Sequence, residues 1–266
     1  MTAGPSPARR GRAVWLLMAA PLLAGCLTFD TVIRLGPDGS GVVEQTLVLS
    51  GAMLDLLTIF GGDAETLELY TEEDLRAQAA AMGPGVRLAG VEPIERGDAR
   101  GYTARFAFDA VGALTLEPAP GSPMPAPDGS TPPTPHLAFR FEPGPPATLF
   151  IDMPPAPEAA PAAAVAAPAM DSTLRAQQTA ELRTLLRGGR LGLAVEIEGT
   201  VLSTDALHRD GDRITLIDLA FDALALQDST LVRLSETPHY GAARALLEQV
   251  PGIVFEPRQT VRVRFE

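Results

Sequence analysis

The chain has one cysteine, Cys26, in 266 residues. No internal disulfide can form, and no cysteine-rich metal site can be built. Whatever fold this chain takes must therefore rest on buried apolar surface, and the length is ample for a substantial core.

The surroundings of Cys26 are as informative as its solitude. Arg9, Arg10 and Arg12 precede an apolar stretch from Ala13 to Leu23, and Leu23-Ala24-Gly25-Cys26 follows. That is a charged segment, a short apolar segment and small residues before a cut. The stretch is interrupted by Pro21 and falls short of the ~20 apolar residues a spanning helix needs. The tetrapeptide resembles the lipobox of bacterial lipoproteins. The resemblance implies cleavage before Cys26, a thioether from its sulfur to diacylglycerol, and acylation of the new amino terminus. Leu23, Ala24 and Gly25 would be read by the signal peptidase. Two or more acyl chains give stable anchoring, at about 0.8 kcal/mol per buried CH₂. In diderm lipoproteins an aspartate after the cysteine goes with inner-membrane retention; Leu27 stands there, so for a diderm host the resemblance implies the periplasmic face of an outer membrane.

Charge narrows the partners. Removing residues 1–25, which hold three arginines and no acid, leaves 18 basic and 33 acidic residues, a formal charge of −15. Nucleic acid is excluded as a partner by that balance, since phosphate binding needs a basic face. Anionic membranes would repel the chain too, so the membrane is reached through the lipid anchor. All 21 basic residues are arginine. With no lysine, Schiff-base and P-loop chemistry are closed.

Turn signals divide the rest. Residues 28–50 read as a hairpin about Pro37-Asp38-Gly39, with Phe29, Thr31 and Ile33 on one side. Helices are expected over 51–60 and from Thr71, an N-cap followed by Glu72, Glu73 and Asp74. Residues 86–95 and 101–109 read as a hairpin about Gly97-Asp98. Two more strands are expected over 136–142 and 148–153, a helix over 171–187, and helices over 229–234 and 240–249. Strands over 253–256 and 260–265 close the chain. The clearest hairpin pairs 192–202 with 213–220 about Asp210-Gly211-Asp212. Residues 118–135 and 154–168 are dominated by Pro, Ala, Gly, Ser and Thr and are read as disordered or extended.

Hairpins outnumber βαβ alternation. The fold class is therefore α+β, an antiparallel sheet built from hairpins with several short helices. The domain reading is a signal peptide at 1–25, an N-terminal half at 26–153, a linker at 154–170 and a C-terminal half at 171–266. The two halves can also form one domain.

Two further resemblances lie in the mature chain. Met82 to Val86 with Gly101 to Asp109, and Val195 to Val201 with Thr215 to Asp222 and Val250 to Ile253, resemble a family of uncharacterised exported bacterial proteins. A helix followed by the Gly199-Thr200-Val201 hairpin resembles the LppM-type lipoprotein domain. That family implies an α+β module of lipid-related binding, and no binding residue is carried over from it.

Candidate chemistry is sparse. Asp205, His208, Asp210 and Asp212 form the best local group of potential ligands, but hairpin polarity explains the aspartates and the EF-hand register is missing. Asp63, Glu65, Glu68, Glu72, Glu73 and Asp74 make an acidic run that suits a solvated loop and helix start. The three histidines, His136, His208 and His239, are dispersed, with no Gly-x-Ser-x-Gly elbow and no His-Glu-x-x-His helix. No metal, no cofactor and no catalytic residue is expected. The sequence predicts a non-catalytic, lipid-anchored envelope protein binding a lipid, another apolar ligand or a protein partner. The alternatives are a structural or assembly lipoprotein without a small-molecule site, and third an envelope hydrolase.

Overall fold

The computed structural model describes residues 27–59, 68–117, 136–154, 187–235 and 240–266, with Ala180 and Arg183. Residues 1–26, the proline tracts apart from Pro154, and most of the expected helix over 171–187 lie outside the described residues.

The hairpin expected first is present. Strand β1 (Leu27–Leu35) alternates strictly, burying Phe29, Thr31, Ile33 and Leu35. It pairs antiparallel with β2 (Gly41–Leu49) from Leu27↔Leu49 to Leu35↔Gly41. Gly39 turns the chain at φ 85°, and a Cβ there would sit 2.8 Å from the Phe141 ring. Its glycine identity thus serves both backbone and packing. Helix α1 (Gly51–Ile59) follows at once, with Ser50 Oγ accepting from the Met53 amide at 3.3 Å. Helix α2 (Glu72–Ala81) starts at Thr71, whose Oγ1 accepts from the Asp74 amide at 3.1 Å. Its three acidic residues lie in the first turn, where the helix dipole favours them. Strands β3 (Arg87–Arg96) and β4 (Ala99–Phe108) turn about Gly97 at φ 64°. After β4 come a short 3-10 turn at Val111–Ala113 and then β5 (Thr115–Leu116), β6 (Leu137–Glu142) and β7 (Ala147–Asp152).

The C-terminal elements are β8 (Arg190–Ile197), β9 (Val201–Thr204), β10 (Arg209–Asp210), β11 (Arg213–Ala220), α3 (Phe221–Ala225), α4 (Asp228–Ser235), α5 (Tyr240–Leu247), β12 (Ile253–Phe255) and β13 (Thr260–Phe265). The strands form two sheets. The larger has the order β10-β11-β8-β1-β2-β4-β3, with β12 also on β11. The smaller runs β5-β6-β7-β13-β9. Ile33, Val43 and Phe106 of the larger sheet share one core with Leu149, Ile151, Val263 and Phe265 of the smaller, with Leu75 of α2 and with Met82 at its C-cap. Helices α3 and α4 make a second cluster beyond β11, around Leu224, Leu231, Val250 and Ile253. The arrangement is α+β and mostly antiparallel.

Four details depart from the sequence reading. First, β1 and β8 pair parallel, from Thr28↔Arg190 to Leu35↔Ile197, the one parallel pair among the described strands. Second, the run 192–202 is not one strand. The chain leaves the larger sheet after Ile197, and Val201–Thr204 pairs with β13 in the smaller one. The switch is fixed by distant partners. The Thr200 amide donates to the Glu266 carbonyl at 2.6 Å, and a Cβ on Gly199 would lie 2.5 Å from that oxygen. Apolar alternation continues through the switch, so periodicity could not show it. Third, the turn about Gly211 (φ 57°) joins β11 to the two-residue β10 and not to β9. Fourth, helix α3 was not expected.

Candidate functional site

Leu23, Ala24, Gly25 and Cys26 lie outside the described residues. What is described is the residue after them: Leu27 already belongs to β1 and is paired with Leu49.

The potential ligand group around the β10–β11 turn is dispersed by backbone duties. Asp205 Oδ1 accepts from the Arg262 amide at 2.7 Å, and Asp212 Oδ1 accepts from the Val201 amide at 3.1 Å. Asp210 is exposed, and His208 is drawn in through its carbonyl, which accepts from the Thr215 amide at 2.9 Å. In the acidic run, Asp63 and Glu65 fall outside the described residues. Asp74 accepts from Thr71 Oγ1 at 2.7 Å, and Glu72 pairs with Arg76 one turn on. His136 is exposed ahead of β6, and His239 is outside the described residues. Among the described residues no group of three His, Cys, Asp or Glu stands close enough to hold a metal ion. Among the same residues no helix is long and apolar enough to cross a membrane.

The structure brings together charges that the sequence did not link. The outer face of the larger sheet carries one charged residue from each of six successive strands, alternating in sign. Arg213 (β11) meets Glu196 (β8) at 2.5 Å, and Glu196 meets Arg34 (β1) at 2.6 Å. Arg34 reaches Glu44 (β2) at 3.8 Å, Glu44 meets Arg105 (β4) at 3.0 Å, and Arg105 meets Glu92 (β3) at 2.6 Å. Glu196 and Glu44 each serve two guanidinium groups and are only 27% and 25% exposed. Hydrogen bonds from Arg105 hold the Glu92 carboxyl below its ordinary range, and those to Glu92 and Glu44 push the Arg105 guanidinium higher still. Strand order across the sheet, and not chain order, makes this ladder, so it is invisible in the linear sequence.

The end of the same sheet nearest Leu27 is different. Asp30 faces Gly192 across the β1–β8 pair, where a Cβ would come within 2.0 Å of its Oδ1. Burial pushes the Asp30 carboxyl up, Arg190 and Arg213 pull it down, and Asp218 adds to the rise. Arg190 itself clasps Asp218 through Nε and Nη2 at 2.9 and 3.0 Å.

On the inner face, polar groups are few. Thr31 is 2% exposed, and its Oγ1 finds no hydrogen-bond partner among the described residues. Its β2 neighbour Gln45 accepts through Oε1 from Gln78 of α2 at 2.8 Å. Glu256, 1% exposed, is fully engaged: its carboxylate accepts from the Leu207 amide at 2.8 Å and the Arg258 amide at 3.2 Å. Sequence reasoning passed over Thr31, Gln45 and Glu256 as polar sites, because lone polar residues in strands or loops give no local signal of burial.

One solved structure matches. It is the NMR structure of the folded domain of the LppM protein of Mycobacterium tuberculosis, at 10% identity, with 91% of each chain covered and a TM-score of 0.34. At that score and identity it carries no weight on function. No family model and no curated protein matches the chain.

Proposed function

We propose that this chain is a lipid-anchored cell-envelope protein that works by binding and not by catalysis. The observation that carries the reading is the order of residue types ahead of β1: Arg9, Arg10 and Arg12, the apolar stretch from Ala13 to Leu23, and Leu23-Ala24-Gly25-Cys26 next to Leu27, which is paired with Leu49. Cleavage before Cys26 leaves every described strand and helix in the mature chain. It also makes the acylated cysteine the first residue. The non-catalytic part rests on what the described acids do: Asp205, Asp212 and Glu256 hold backbone amides, while Glu44 and Glu196 hold arginines. The anchor would sit on the periplasmic face of an outer membrane, from Leu27 at the second mature position.

The ligand in this reading is a lipid or other apolar molecule held between the larger sheet and its helices. Thr31, Gln45 and Gln78 support it, as a small polar group on an apolar face, the pattern by which sites for apolar ligands fix orientation. The ladder of six charges on the outer face favours a second reading, an assembly lipoprotein that recognises an envelope protein, since fixed charge patterns supply specificity.

Lipid extraction of the purified mature protein separates the two. A bound lipid near one per chain, lost on Thr31→Leu with Gln45→Leu, supports the ligand reading. Absence of lipid, with a partner captured in a manner that depends on Glu44 and Glu196, supports the assembly reading. Turnover of an ester or amide substrate by the purified chain would contradict both.

A further inference from the structure

We propose that the end of the larger sheet at Leu27 rests on the bilayer, with α1 in the headgroup zone of the leaflet that holds the anchor. This rests on the reading of Cys26 as lipidated and goes beyond it, to orientation and to a second, non-covalent contact.

The tether sets the distance. A flexible linker of twenty residues would let a domain wander about 25 Å from its anchor. Here there is none: consecutive Cα atoms are about 3.8 Å apart, and Leu27 is held in register against Leu49. Whatever lies in that row of the sheet is therefore held at the lipid surface. The row runs from Arg100 (β4) through Leu49 and Leu27 to the start of β8, where Arg190 pairs with Ala220 of β11.

Two elements leave the sheet from this row, and both are apolar. Helix α1 follows Leu49 and Ser50 directly and carries one charge, Asp55, in nine residues. Its Ala52 and Leu57 are exposed. Helix α3 follows Ala220, tied by the Phe221 amide to the Gly189 carbonyl at 2.9 Å, and is succeeded by Leu226 at 85% exposure. Leu57 and Leu226 are thus two of the four exposed large hydrophobic residues among those described. An apolar helix face buried some 5–10 Å into the headgroup boundary adds binding energy in proportion to its area. The occupant is lipid and not an anionic headgroup array, because the mature charge of −15 opposes that.

The far end of the sheet points away. Nine residues of β1 at about 3.3 Å each place the 36–40 turn and Glu198 roughly 30 Å from Leu27.

The test uses the full lipoprotein in phosphatidylcholine vesicles, with the acyl chains brominated near the carbonyl or unmodified. Since Cys26 sulfur is consumed by the thioether, a bimane label can be placed through Leu57→Cys, Ala52→Cys or, as the distal control, Glu198→Cys. All three positions are exposed, so a second α1 site covers any folding failure at the first. Bromide quenching several-fold stronger at 57 and 52 than at 198 is expected. Equal quenching at all three, or none at 57 and 52, would overturn the orientation while intact mass still showed the acyl groups. A chain whose intact mass shows no acyl group on Cys26 would overturn the orientation and the lipoprotein reading together.

Discussion

Arg34 of β1 donates through Nη1 to Glu196 of β8 at 2.6 Å, across the parallel strand pair and 162 positions apart in the chain. The contact joins the N-terminal and C-terminal parts of the larger sheet at the centre of the charge ladder. Glu196 also holds Arg213, so it is shared between two cations. Exposed pairs contribute little, because solvent screens them and long side chains must be ordered. A shared, half-buried acid in a network is placed better. Glu196→Ala should therefore cost about 1 kcal/mol, and more than Glu92→Ala at the 65% exposed end of the ladder. Urea melts at low and high salt check this. The difference between the two variants should narrow at 1 M salt, where screening reaches about 3 Å.

Thr31 offers a stabilising substitution. Its hydroxyl is buried without a partner among the described residues. An unsatisfied buried polar group costs about 1–3 kcal/mol, and valine has nearly the same shape. Thr31→Val should raise the Tm of delipidated protein by a few degrees. In protein that still carries lipid the gain should be smaller, because there the hydroxyl faces the ligand, and lipid extraction of the variant should show less lipid.

Glu256 works the other way. It is an acid at 1% exposure that closes two backbone amides, Leu207 and Arg258. Glu256→Ala leaves both donors unsatisfied and should cost about 2 kcal/mol or more, which lowers Tm by roughly 4–8 °C for a chain this size. Glu256→Gln keeps an acceptor oxygen and should cost less. Differential scanning calorimetry ranks the three proteins.

Two carboxyls should give opposite pH dependences. Burial raises Asp30 above its ordinary 3.8, so the folded state holds the proton more tightly than the unfolded chain. Its contribution is largest below pH 3.8 and is lost as pH rises through the folded value. Asp30→Asn should therefore raise Tm slightly at pH 7, with the gain vanishing in acid. Asp152 is depressed below 3.8 chiefly by the hydrogen bond from Arg140; burial opposes this, and the hydrogen bond from Thr260 adds to the lowering. Its stabilisation is present above pH 3.8 and lost as pH falls through the depressed value. Asp152→Asn should lower Tm at pH 7, and that loss should shrink in acid.

Much of the fold was legible because its signals are local. Thr71 with three acids after it marked the start of α2, Gly39 and Gly97 marked hairpin turns, and Phe29-Thr31-Ile33 marked the inner face of β1. The parts that were not legible depend on partners far along the chain. The Ile197–Val201 switch between sheets is set by Glu266, and β1 finds β8 in parallel across more than 150 intervening positions. The charge ladder fails to show for the same reason, since Arg213, Glu196, Arg34, Glu44, Arg105 and Glu92 become neighbours only through strand order. For the candidate site, the Cys26 segment was readable from residue types, whereas burial of Thr31 and Glu256 required the folded chain.

The measurement that bears most directly on the central claim is the mass of the N-terminal peptide from protein extracted out of the membrane of its own host. The account predicts a peptide that begins at Cys26 and carries diacylglycerol on sulfur with an acyl group on the amino nitrogen. It also predicts that Cys26→Ser abolishes both the cleavage and the lipid. A mature N-terminus elsewhere, or an unmodified Cys26 in membrane-extracted protein, would contradict it.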